Sequence, residues 1–168
     1  MQAWQKAHAE YSLTGTGNAD LLNLPMAAFF ASRQCPGIAI RAAMGWALQQ
    51  ARAKGVVISG FHSPLEQSVS KVLIQARSPV VAVLARPVSG AKFPPEWVEP
   101  LNQGLMAVVS AYLIATRLTS EVAMARNRLV AQLATTIVVA HASPGGGLAS
   151  LMAQWQLERP QAVVRSPI

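Results

Sequence analysis

Short uninterrupted apolar runs alternate along this chain with stretches whose apolar positions recur every three or four residues. The runs are MAAFF (26–30), VVISG (56–60), VVAVLA (80–85), LMAVVSA (105–111), TIVVAHA (136–142) and QAVVR (161–165). Most are continuous rather than alternating, which predicts strands covered on both faces, as in a parallel sheet. Counting from Ile40, the residues Met44, Ala47, Leu48 and Ala51 fall at +4, +7, +8 and +11 and predict the apolar stripe of a helix. Arg41, Gln49 and Arg52 lie on its other side, and Gly55 is expected to supply the left-handed residue that ends it. The next helix is marked by Ser63 as cap, Pro64 at the first helical position and Glu66 completing a capping box. Leu65, Val69, Val72, Leu73 and Ala76 form its expected buried face. Repeated strand–helix alternation predicts an open, doubly wound, mostly parallel α/β sheet. With no internal repeat or low-complexity tract, residues 1–168 read as a single domain in which 1–16 are a polar lead-in.

In such a sheet ligands sit beyond the carboxyl ends of the strands, where the strand order reverses. The segments leaving those ends read ASRQCPG, SGFHSP, RPVSGAKFPP and SPGGG. Turns of small residues that present backbone N–H groups beside a helix N-terminus make an anion site. Net charge points the same way. Fourteen Lys and Arg against seven acids give +7, which favours nucleic acid, nucleotides or a membrane surface as partners.

Charged residues make up only 12% of the chain and apolar residues 52%, against a usual charged share of roughly 25%. That composition excludes a disordered chain and leaves apolar surface for a partner, so a homodimer is expected. The single cysteine, Cys35, rules out an internal disulfide and fits a reducing compartment. No run reaches the roughly 18 residues of a membrane span, and the first residues lack the apolar core of a signal peptide. The reading is therefore cytoplasmic, with no membrane partner.

Several residues are candidates for phosphate contact. Arg33 leaves the first run at the ligand-binding edge with the Ser32 hydroxyl beside it; a tight surface turn is the alternative reading. Ser59 and Gly60 form a second small-residue turn, and Gly145, Gly146 and Gly147 a third. Arg126, Asn127 and Arg128 precede the run at 136. The two arginines lie about 200° apart on a helix. If the helix starts near them, one reaches a phosphate while the other braces a neighbouring loop; otherwise both are solvated. Glu66 needs no ligand to explain it, since the capping box suffices. His62 and His141 have no cysteine or carboxylate at metal spacing, so no metal is expected. Cys35 has no evident histidine base. GTGNAD (15–20) precedes the first strong strand and lacks the final glycine of a dinucleotide loop. No cofactor is predicted.

Five of these segments together resemble the DprA (Smf) DNA-processing family. GNADLLNLPMAAFFASR resembles its opening Gly-Asn pair, leucine-rich link and strand ending in Gly-Ser-Arg. KGVVISGF resembles its second strand with a Ser-Gly turn. VVAVLARPVSGAKFPPEWVEPL resembles its next strand and Tyr-Pro, with Phe93 and Pro94 in that place. ARNRLVAQLA is similar to its Arg-Asn-Arg segment, and GGGLASL to its Ser-Gly-Ser-Leu turn. The resemblance spans about 17–164. It implies a Rossmann-like fold and a dimeric single-stranded DNA-binding protein of DNA processing or recombination, delivering DNA to a recombinase. It also implies a basic stripe of Arg33, Lys54, Lys71, Arg126 and Arg128.

The chain departs from the family at Ala31, at Pro64-Leu65-Glu66, at Val69-Ser70 and at Ala140-His141, where an acid is usual. Two other functions fit the same pocket less closely. One is a sensor domain that binds a nucleotide-derived ligand and signals through a partner. The other is a nucleotide N-glycosidase of the wider superfamily, which Pro144-Gly145-Gly146 resembles. The catalytic glutamate of that branch is missing here, because the next acid is Glu158. No enzymatic activity is expected without a base or nucleophile.

Overall fold

The apolar runs become strands because both of their faces are covered. The structure, a computed structural model, describes residues 3–8 and 10–164. In chain order the elements are β1 (Ala3–His8), β2 (Tyr11–Gly17), β3 (Met26–Ala31), α1 (Gly37–Ala53), β4 (Val56–Ser59), α2 (Pro64–Gln75), β5 (Val80–Val83), α3 (Val98–Asn102), β6 (Met106–Ser110), α4 (Ser120–Leu133), β7 (Thr136–His141), α5 (Gly147–Glu158) and β8 (Val163–Val164). They build one sheet in the order β1-β2-β6-β5-β4-β3-β7-β8. The six strands from β6 to β8 are parallel, whereas β2 pairs antiparallel with β6, and β1 with β2. This is the Rossmann-like doubly wound sheet that the alternation predicts. Arg165, the last residue of the run at 161, lies outside the described residues. No described helix is long and apolar enough to cross a membrane.

Successive residues of β3 show how the layers close. The Phe29 ring stacks on Trp46 of α1 at 5.2 Å, and the Phe30 ring meets Trp155 of α5 at 4.8 Å on the opposite face. The Phe29 side of the sheet also carries Val69 and Leu73 of α2, and the Phe30 side Leu129 and Val130 of α4. From β3 the chain steps through β4 and β5 to β6, then crosses back to place β7 on the other side of β3. The strand order therefore reverses between β3 and β7.

Three expectations need correction. Residues 3–8 and 11–16, read as part of a polar lead-in, instead form with Gly17 a hairpin that extends the sheet beyond β6. Its glycines hide the strand signal. The Trp4 ring lies so close on Gly15 that a Cβ there would collide with it, and Gly17 has φ +87°, a left-handed conformation. On α1 the buried side is Ala43, Trp46, Ala47 and Ala51, while Ile40 and Leu48 are exposed. Trp46 wins the inward position because it has Phe29 to stack on. Finally, the left-handed residue that ends α1 is Lys54 (φ 54°), and Gly55 follows it with its N–H on the Gln50 carbonyl. The α2 start agrees with its prediction in full. Ser63 accepts from the Glu66 N–H, Pro64 opens the helix, and the Glu66 side chain completes the box.

Candidate functional site

Parallel topology brings the four small-residue segments to one edge of the sheet, where they separate into two groups. At the reversal point, Ser32 joins β3 to β7. Its N–H donates to the His141 carbonyl at 2.9 Å, and its Oγ accepts from the Ser143 N–H at 2.8 Å. Arg33 is exposed beside it. In the SPGGG loop Gly145 takes φ +76°, and Gly146 starts α5 without a side-chain cap. Gly147 faces Met124 of α4, whose Sδ lies 3.1 Å from where a Cβ would stand.

The second group lies at the ends of β4 and β5. Ser59 is fully buried, and its Oγ accepts from the Phe61 N–H at 3.1 Å. Phe61 takes φ +46°, a conformation rare for an aromatic residue. This tight turn leaves the Gly60 Cα open to a neighbour, and the neighbour is Arg126. A Cβ on Gly60 would stand 2.5 Å from Arg126 Cζ and 2.6 Å from its Nε. Only glycine lets the guanidinium lie so close to the backbone.

Arg126 stands well inside α4, because that helix starts at Ser120 on a Thr119 cap rather than near the arginines. It is 6% exposed, whereas Arg128 is exposed, as two positions about 200° apart on one helix must be. Its Nε donates to Asn127 Oδ1 at 2.9 Å, which fixes the plane of the group. Among the described residues it makes no ion pair. Burial pushes this guanidinium below its ordinary range, and the Glu66 carboxylate and Tyr112 hydroxyl oppose that shift. An arginine stays protonated regardless, so the site holds a partly desolvated cation with no ion-pair partner among the described residues.

Arg126 and Gly60 line a cavity of about 650 Å³ together with Lys71 of α2 and Arg86, which follows β5. Glu96 is its one carboxylate, and Trp97 and Phe61 supply apolar wall. Arg86 Nη2 donates to the Lys92 carbonyl at 3.2 Å and closes the loop between them. Lys71 belongs to the expected basic stripe; Arg33, Lys54 and Arg128 do not line this cavity. Sequence reasoning missed Arg86, which sits in a proline-flanked loop with no periodicity to orient it.

Glu66 occupies the remaining anion position. Its Oε1 accepts from the His62 and Ser63 N–H groups at 3.0 and 3.2 Å, and its Oε2 from the Ala31 N–H at 3.0 Å. The backbone donors at the start of α2 therefore already hold a carboxylate from the chain itself, and no phosphate can share them. Nearby, the Cys35 thiol donates to the Ser32 carbonyl at 3.2 Å. Burial, and secondarily the Glu66 carboxylate, pushes that thiol above its usual range. A raised thiol carries less thiolate at any given pH, so Cys35 should alkylate more slowly than free cysteine at pH 8. Timed iodoacetamide labelling read by mass spectrometry checks this. Among the described residues no group of three metal-ligating side chains comes together.

Comparison with solved structures shows the same fold. DNA processing protein A from Helicobacter pylori, described for its single-stranded DNA binding mode, superposes with a TM-score of 0.74 at 16% identity, over 93% of this chain and 77% of that one. The DprA of Streptococcus pneumoniae gives 0.71 at 22% identity over 90% of this chain, which spans about half (53%) of the pneumococcal protein. The Moco carrier protein of Chlamydomonas reinhardtii is more distant, at 0.56 and 14% identity over 85% of this chain and 76% of that one. No curated protein sequence matches the chain directly. The family model of DNA recombination-mediator protein A matches residues 3–168, so the chain belongs to that family of DNA-processing proteins.

Proposed function

We propose that this chain binds single-stranded DNA through its phosphates, without chemistry on the strand, in DNA processing or recombination. The observation that carries this reading is Arg126, a buried guanidinium with no ion pair among the described residues, seated on Gly60 and open to a cavity that also presents Lys71 and Arg86. A buried cation without an ion pair is costly, and a bound phosphate supplies a direct partner. Asn127 acts here by holding Arg126, while Ser59 keeps the turn that exposes Gly60. Arg33, Ser32 and Gly145–Gly147 stand at the neighbouring strand ends and provide the next contacts along the strand. Arg128 faces solvent and contributes only to the general basic field. The DNA held in this way would be passed to a recombinase.

Affinity for a short single strand, measured between about 50 and 200 mM salt, tests the reading. Binding should weaken as salt rises, with a log–log slope near −0.7 for each phosphate neutralised. A protein that binds no strand at low salt overturns it. Tighter binding of a mononucleotide than of the strand would favour a ligand-sensing domain instead.

A homodimer belongs to the same proposal. Ile38 and Leu48 on α1 are large apolar side chains left exposed, at 78% and 47%. Their burial in a second copy would remove apolar surface from water. Light scattering at tens of micromolar should report twice the chain mass; monomer alone rejects the dimer.

A further inference from the structure

The same edge of the molecule carries a second concavity, of about 670 Å³. It adjoins the basic cavity through two shared walls. In the loop after β5, Arg86 and Trp97 face the basic cavity, whereas Val88 and Phe93 face the second one. In the loop after β6, Leu118 borders the first and Tyr112 the second. The β1–β2 hairpin supplies the rest of the lining, including Gln5 and Thr14.

The chemistry of the two concavities differs sharply. The first holds three basic side chains, whereas no residue lining the second carries a charge. In a chain of net charge +7, a neutral groove with three aromatic residues, Trp4, Phe93 and Tyr112, selects a neutral, flat ligand. The Phe93 ring is braced by Trp97 at 5.8 Å, so little freedom remains to be lost when something stacks on it. The exposed Gln5 amide offers a donor and an acceptor to the edge of such a ligand, and the Thr14 hydroxyl, which donates to the Ser110 carbonyl, keeps its acceptor lone pairs. A nucleobase has this combination of π-face and hydrogen-bonding edge. Every phosphate of a DNA strand also brings a base beside it.

From this adjacency we propose that the groove between the β1–β2 hairpin and Phe93 receives a base of the strand whose phosphate lies at Arg126. The inference rests on the phosphate reading above and adds a base-stacking subsite to it. Stacking on Phe93 requires no particular sequence, because every base presents a π-face.

Two strands of equal length and charge separate the contributions, an oligothymidylate and an abasic phosphodiester strand. The parent protein should bind the oligothymidylate roughly five- to tenfold more tightly, the low end of one stacked base. Phe93→Ala should lose that preference while keeping its affinity for the abasic strand, and Phe93→Trp should retain it. Tyr112→Leu keeps apolar packing and should reduce the preference as well. Equal binding of both strands by the parent overturns the base subsite and leaves the phosphate reading standing. Binding of neither strand overturns both. A Phe93→Ala protein that loses both strands equally also rejects the subsite, because a base platform must spare the abasic one.

Discussion

Replacing Arg126 by methionine should weaken binding to a short single strand by about 1–3 kcal/mol while leaving the protein as stable as the parent or more so. These two directions are opposed for one physical reason. The guanidinium is 6% exposed and, among the described residues, makes one hydrogen bond, to Asn127. In the free protein its charge is poorly solvated and unpaired, so an apolar side chain of similar reach relieves a cost. In the complex the same charge meets a phosphate, and its removal takes away a charge-assisted contact together with about one unit of the salt slope. Arg128→Ala, two positions away and exposed, is the control and should change neither affinity nor melting temperature appreciably. Fluorescence anisotropy across a salt series, with thermal melts of both variants, decides the matter. If Arg126→Met melts several degrees below the parent, Arg126 is a structural brace and the anion-site reading fails.

Glu66→Ala should have the largest effect on stability, a loss of about 2–4 kcal/mol. One carboxylate accepts three backbone N–H groups from two strand ends, those of Ala31, His62 and Ser63. Its removal strands all three donors, and the Ala31 residue among them is buried. For a chain of this size the melting temperature should fall by roughly 5–15 °C, at about 2–4 °C per kcal/mol. Glu66→Gln keeps an acceptor in place and should fall less. The alanine variant should also gain something the parent lacks. With the start of α2 vacated, millimolar inorganic phosphate should raise its melting temperature more than it raises the parent's. Calorimetry with and without phosphate tests both statements, and an alanine variant that melts like the parent rejects the first.

Much of the fold was legible because the parallel strands are buried on both faces and so write themselves as continuous apolar runs. The α2 start was equally plain, since a capping box is encoded within four residues. The hairpin was not, because Gly15 and Gly17 interrupt its alternation for reasons that lie elsewhere in the chain. Gly15 makes room for Trp4, and the position a Gly17 Cβ would take is occupied by the Met106 carbonyl. The α1 stripe was rotated because Trp46, large enough to tolerate either environment, is drawn inward by Phe29.

The candidate site shows the same division. Arg126 stood out by its Arg-Asn-Arg context, but nothing local says that it meets Gly60. That contact depends on where α4 begins and how it lies on the sheet. The helix starts six residues before Arg126, which turns that side chain toward β4 and leaves Met124 against the SPGGG loop. Ser32 and the glycines, the other candidates for phosphate contact, are held one strand further along, where Ser32 bonds the Ser143 N–H.

The sheet order also bears on how the polypeptide reaches this state. Thr14 is bonded to Ser110, 96 positions away, and Thr135 to Met26, 109 positions away. The outer edge of β2 and one edge of β3 thus find their partners, β6 and β7, only after most of the chain is available. Local β–α–β units from β3 to β6 and the β1–β2 hairpin can form early, but docking the hairpin on β6 and β7 on β3 must close long loops before either gains a contact with the sheet. During that interval β3 keeps one bare edge and β6 another, the surfaces on which two nascent chains would exchange strands. Refolding yield should therefore depend on protein concentration more steeply than a chain of this length would otherwise suggest.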